Sequence, residues 1–204
     1  MRPGTSFFTQ HNGWFFARRI FVLAIIGAII STFCDANHVY TGALNYTQPD
    51  FWGQAWWVLP HFIFAFCLLF TGVQLFSRFW FKDSLTKATL ASGYLESFVN
   101  QVLLFILLYL MTGFAHQNPL LMSAILYLTF LLRLLVSYER RFIFIAAVLM
   151  AILGMGFEGT LSAIGLMEYS HPFIYHVPLW LGGLYMHGAF CLRESFRYMV
   201  YHSD

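Results

Sequence analysis

The stretch Gly53-Gln54-Ala55-Trp56-Trp57-Val58-Leu59-Pro60-His61 decides how the rest of this chain reads. It brings together a flexible glycine, two adjacent indoles, a proline and a histidine at the head of an apolar run that continues to Phe76. An indole settles where lipid headgroups meet acyl chains, because its body is apolar while its N–H seeks a wet partner. Proline is tolerated in the first turn of a helix, where the missing N–H does least harm. The stretch therefore marks a membrane surface with a helix descending behind it.

Composition points the same way. Of 204 residues, 59% are hydrophobic and only 10% charged, whereas a soluble domain carries roughly a quarter of its residues as charges. This excludes a soluble enzyme, and nucleic acid is not an expected partner. The three cysteines, Cys34, Cys67 and Cys191, fall in or beside apolar runs and read as small buried hydrophobes.

Outward from the opening stretch, the chain divides into apolar segments of about 20 residues, the length of one bilayer crossing. The expected helices are 14–34, 54–76, 90–112, 119–136, 142–166 and 173–192, forming a single transmembrane domain over 1–204. The run from Ile20 to Cys34 follows Arg18 and Arg19 but has no small-x-small cleavage site behind it, so it reads as a retained helix. With a cytoplasmic N-terminus, Arg2, Arg18, Arg19, Arg78, Lys82, Lys87, Arg133, Arg140, Arg141, Arg193 and Arg197 all fall on the cytoplasmic side, as the positive-inside rule asks. The expectation is an all-α membrane protein, a six-transmembrane-helix bundle with both termini cytoplasmic.

Ionisable groups inside a bilayer are costly and turn toward protein or trapped water. At about 100° per residue, Ala151, Gly154, Glu158, Ser162 and Gly165 share one stripe of the fifth helix. The sixth repeats the pattern with His176, Trp180, Gly183, His187 and Glu194, the second with Gln54, His61, Ala65 and Gly72, and the third with Gly93, Glu96 and Asn100. At about 1.5 Å rise per residue, His61 comes level with Glu158, and His187 with Glu96, so facing pairs are expected at two depths. Taken singly, each of these is most simply polar glue between helices. Together they would line a cavity for a polar headgroup, with Gln54, Trp57, His61, Glu96, Asn100, Glu158, His176, Trp180 and His187 as its candidate lining. No metal spacing joins the histidines, and no cofactor or catalytic set is expected. Gly182, Gly183 and Gly188 read as close helix packing. The echo of Ala65-Phe66-Cys67-Leu68 in Ala189-Phe190-Cys191-Leu192 is too short to establish an internal repeat.

The Ala55-Trp56-Trp57-Val58 stretch with Pro60, behind a long loop after the first helix, resembles the start of the second helix in the Insig (insulin-induced gene) family of six-span proteins. Tyr169-Ser170-His171-Pro172-Phe173, leading to Pro178, Gly182-Gly183, Gly188 and Arg193, is similar to that family's last loop and sixth helix, and Glu139-Arg140-Arg141 stands where its cytoplasmic basic segment does. The resemblance implies a non-catalytic membrane protein, closest in kind to a prokaryotic member, that holds a sterol- or diacylglycerol-like lipid among its helices, with Gln54, Trp56, Trp57 and Pro60 framing one wall. It implies a lipid ligand, a possible homo-oligomer, a possible polytopic membrane partner, and the bacterial inner membrane, with the endoplasmic reticulum as the other location. From the residues alone, a membrane-embedded lipid-modifying enzyme using His/Glu proton transfer is the competing reading, and a transporter is a third.

Overall fold

The structure, a computed structural model, describes residues 13–80 and 94–200. Six helices run in the order α1 (Gly13–Thr41), α2 (Val58–Trp80), α3 (Tyr94–Phe114), α4 (Pro119–Val136), α5 (Arg140–Ala163) and α6 (Leu179–Ser195), the last continuing into a π-helical turn, Phe196–Val200. Two short strands, β1 (Leu44–Tyr46) and β2 (Met167–Tyr169), interrupt the helical order and pair antiparallel, with Asn45 opposite Glu168 at the centre. The chain is an integral membrane protein of the expected fold class. Arg2, Lys82, Lys87 and Gly93 lie outside the described residues.

Five helices are long and apolar enough to cross a membrane, α1 to α5. The sixth, α6, is 17 residues long and buried along nearly all of its length. It packs against α3, α4 and α5, so it is the helix that lipid sees least. This explains how it can carry His187, Arg193 and Glu194, all buried: protein rather than acyl chain surrounds them. By contrast α2 packs substantially only on α1 and leaves Phe64, Leu68 and Leu75 exposed.

Several boundaries differ from the sequence expectation, three of them for a clear local reason. The first helix runs on past Cys34 to Thr41, because Asp35 and His38 are buried against protein instead of ending the span in water. The second begins at Val58, since Trp52 and Gly53 take positive φ (53° and 75°) and make a tight bridge between Phe51 and Gln54. The sixth begins at Leu179, because Tyr175 and His176 also take positive φ (44° and 63°) in a bridge between Ile174 and Val177, and Pro178 supplies an extended residue before the helix.

The glycines of α6 set its distance to its neighbours. A methyl group on Gly183 would lie 2.8 Å from Leu126 Cβ of α4, and one on Gly188 would lie 2.8 Å from Met150 Cε of α5. Packing against a small-residue face allows this approach within a bilayer, where van der Waals contact drives helix association. At the strand end of the bundle the core gathers Cys34, Leu44, Met122, Leu126, Trp180 and Leu184. At the opposite end it gathers Leu23, Phe130, Phe142, Phe190 and Phe196.

Candidate functional site

Two carboxyl groups, one buried and one partly buried, organise the strand end. Asp35, on α1, is 4% exposed, and its Oδ2 accepts from the Tyr46 hydroxyl (2.8 Å) and from Gln54 Nε2 (2.7 Å), which also donates to the Thr32 carbonyl (3.0 Å). Glu158, on α5, accepts from the Tyr169 hydroxyl through Oε2 and from the Tyr185 hydroxyl through Oε1. The two acids lie within electrostatic reach of each other. Each is partnered by neutral donors, and among the described residues no ion pair involves either. Burial, and then the carboxyl beside it, pushes each of Tyr46 and Tyr169 well above the ordinary phenol range, so both remain protonated donors.

Aromatic rings continue this cluster toward α2. Tyr46 meets Trp57 edge-on (5.6 Å), Trp57 meets His61 edge-on (6.1 Å), and His61 stacks flat on Phe157 (4.6 Å, 8° between planes). His61 therefore reaches the residue next to Glu158 and does not hydrogen-bond Glu158 itself. With α2 leaning on α1, α2 packs little on α5, and the His61–Phe157 stack is a contact between them. Glu158, next to Phe157 in the chain, and Tyr185 are only partly buried.

His187 has a different neighbour from the one its helical face suggests. An arginine guanidinium can only donate, so the contact of Arg133 Nη1 with His187 Nδ1 (2.6 Å) makes Nδ1 an acceptor. Nε2 then carries the proton and donates to the Leu126 carbonyl (3.0 Å), with Thr129 Oγ1 at 3.2 Å. Both ring nitrogens are occupied. Arg133 also donates to Gln101 and lies over the Phe190 ring (4.0 Å). Glu96 and Asn100, expected level with His187 and turned inward, are instead exposed on the outer face of α3.

The remaining candidates separate. Gln54 and Trp57 join the Asp35 cluster, as above. His176 is exposed on the loop before α6, where it borders a cavity of about 210 Å³ with Thr47, Ser162 and Glu168. Trp180 is fully buried, edge-on to Tyr169 (6.0 Å) and His38 (5.2 Å). Of the nine, Gln54, Trp57, His61, Glu158 and Trp180 fall in one region, while Glu96, Asn100, His176 and His187 do not. A larger apolar groove of about 640 Å³, between the start of α1 and the end of α2, contains none of the acids. Among the described residues, no group of three or more His, Cys, Asp or Glu could hold a metal ion.

Asp35, Tyr46, Tyr169, Tyr185 and Arg133 escaped the helical-face argument. Asp35 lies just past the expected end of the first helix, the tyrosines carry no charge to draw notice, and Arg133 enters only as one of the cations of the cytoplasmic side.

Comparison with known proteins places the fold. The chain resembles the crystal structure of MvINS, a mycobacterial Insig homologue from Mycobacterium vanbaalenii, with a TM-score of 0.72 and 19% identity, over 100% of this chain and 99% of that one. A cross-linked trimer of an MvINS variant matches with a TM-score of 0.71, also at 19% identity and with the same coverage. No curated protein matches the chain. Residues 97–203, a little over half of the chain, match the family model described as a protein of unknown function (DUF2878). With the bundle, the strand pair and the full-length likeness in hand, the chain is a membrane protein with the fold of the mycobacterial Insig homologue, and it belongs to the DUF2878 family.

Proposed function

We propose that this protein holds a lipid within its bundle, without catalysing its conversion, and reports the lipid's presence through helix arrangement. The headgroup meets Glu158 between α2 and α5, and the acyl or ring portion lies against Phe157 and the apolar face of α2. The observation that carries the reading is Glu158 itself: a carboxyl held by two phenols in an apolar bundle, yet only partly covered, next to the residue on which His61 stacks where α2 and α5 pack little on each other. Polar groups at such depth are retained where they meet a partner. Occupancy acts by favouring the arrangement to which the lipid binds better. A sterol- or diacylglycerol-like molecule suits this division between one polar end and a large apolar body.

Native mass spectrometry of the detergent-purified protein tests the reading. A co-purifying lipid is expected, depleted severalfold by Glu158→Leu and by His61→Leu. Lipid content unchanged in both variants would overturn it. An enzyme using His/Glu proton transfer would have to rest on His61 and Glu158, since both nitrogens of His187 are engaged and Glu96 faces outward. Lipid turnover abolished by Glu158→Gln would favour that alternative.

The cap formed by β1, β2 and their turns belongs on the outer side of a bacterial inner membrane in this reading, and both termini on the cytoplasmic side. The exposed Glu96 and Asn100 on α3 support contact with a second copy or with another polytopic membrane protein, and trimeric MvINS is a precedent for the former.

A further inference from the structure

The strand end of the molecule matches itself after a shift of 123 positions, the distance from Asp35 to Glu158. Gly42 and Gly165 both turn the chain at φ 78° after a helix. Ala43 N–H bonds the His38 carbonyl (2.8 Å), and Leu166 N–H bonds the Leu161 carbonyl (3.0 Å). β1 corresponds to β2, and their register is what a two-fold rotation requires: Leu44 opposite Tyr169, Tyr46 opposite Met167, and the axis passing between Asn45 and Glu168. The flanking bonds exchange under the same rotation, Thr47 N–H to the Leu166 carbonyl (3.2 Å) and Ser170 N–H to the Ala43 carbonyl (3.1 Å). Pro49 then matches Pro172, the left-handed pair Trp52–Gly53 matches Tyr175–His176, and the bridge Phe51–Gln54 matches Ile174–Val177. Below this cap, the helix pair α1–α2 matches α5–α6, and among the described residues these are the two most extensive helix pairings.

Side chains obey the shift as well. Tyr46 bonds an acid 11 residues before it, Asp35, and Tyr169 bonds an acid 11 residues before it, Glu158. Trp57 meets Tyr46 edge-on at 5.6 Å and 78°, and Trp180 meets Tyr169 edge-on at 6.0 Å and 81°. Each phenol also lies within electrostatic reach of the other half's acid. The second donor to each acid breaks the symmetry, Gln54 in one half and Tyr185 in the other.

We propose that the chain is an internal duplication about a two-fold axis along the bundle, and that Asp35–Tyr46–Trp57 and Glu158–Tyr169–Trp180 are the two halves of one site for a hydroxyl-bearing headgroup. Parallel repeats related by such an axis place ligands at the repeat interface. The ligand class follows from two buried polar atoms that have no hydrogen-bond partner. The Thr112 hydroxyl donates to the Tyr109 carbonyl (2.6 Å), so at its contact with His38 Nε2 (2.7 Å) it accepts, which leaves His38 Nδ1 a bare acceptor. Trp180 Nε1–H, in the ring packed against His38, is a bare donor. Both side chains are 1% exposed. A hydroxyl both donates and accepts, so it can serve this pair, and further hydroxyls can donate to carboxyl oxygens that have acceptor capacity left. The proposal rests on the lipid reading above, and adds Asp35 as the counterpart of Glu158.

The test is a titration of the full chain, purified in an amine-oxide detergent that has no hydroxyls, with 1-O-dodecylglycerol or with dodecyl methyl ether, followed by thermal shift and native mass spectrometry. The glycerol ether is expected to bind and the methyl ether not to. Tyr46→Phe and Tyr169→Phe, which remove one hydroxyl each and keep the ring, should each weaken binding by a similar factor, about three- to tenfold for one hydrogen bond. Asp35→Asn and Glu158→Gln, close to isosteric, provide a second matched pair should either tyrosine variant fold poorly. Weakening confined to the Glu158 half would overturn the two-fold site and leave the lipid reading standing. Equal binding of the two ethers would overturn the hydroxyl class. Binding of neither, with no lipid carried through purification, would overturn both readings.

Discussion

Arg133 shows how one side chain can settle another's chemistry. Its guanidinium occupies Nδ1 of His187, bonds Gln101 and covers Phe190, so a histidine that looks free on a helical wheel is a fixed neutral acceptor. Arg133→Met should leave two acceptors without a donor, at about 1–3 kcal/mol for each buried group left unmade. Thermal unfolding in detergent should show the loss, and Arg133→Lys should restore only part of it, because an ammonium cannot fork to both partners. From the sequence, the arginine's position near a helix end gave its side of the membrane but not its reach inward. The same gap hid Asp35. An aspartate directly after an apolar run reads as the start of a loop, and only the packing of Tyr46 and Gln54 onto it makes it part of a buried helix. Trp56, Trp57 and Pro60, by contrast, mark the head of α2 correctly, because interfacial indoles and a first-turn proline act through local chemistry alone.

Among the elements, α6 depends on its small residues. A methyl on Gly183 would press on Leu126 Cβ, close to the α4 backbone, whereas a methyl on Gly156 would meet nothing within 4 Å. Gly183→Ala should therefore force α4 and α6 apart and cost about 1–3 kcal/mol. Gly156→Ala should be neutral or stabilise by about 0.5–1 kcal/mol through lost backbone freedom in the unfolded chain. Melting midpoints of the two variants, measured side by side, separate packing from propensity. That glycine face was legible in the sequence. The true start of α6 was not, because Phe173 to Val177 is as apolar as the helix and only the left-handed turn at Tyr175 and His176 sets it apart. Glu96 and Asn100 share a helical stripe, as their spacing says, but periodicity gives a face without saying what the face meets. The duplication left its trace in Asp35, Tyr46 and Trp57 against Glu158, Tyr169 and Trp180, spaced alike in both halves. The Ala-Phe-Cys-Leu echo lies one residue out of that register and conceals it.

For the whole molecule, the orientation drawn from the arginines is open to direct measurement. In a background without the three native cysteines, Trp52→Cys and Tyr138→Cys both present exposed positions, at opposite ends of the bundle. A membrane-impermeant maleimide applied to intact cells should label the first fully and the second only after permeabilisation; the reverse pattern would invert the topology. Within that frame, the hairpin of α3 and α4 sheathes α6, while α2 packs extensively only on α1. The two halves should consequently come apart at different temperatures. In warm detergent, a protease should nick the chain around residues 50–57 well before it reaches 171–178, releasing α2 while α6 is still locked in place. A molecule assembled from twins would then have one that lets go early and one that holds to the end.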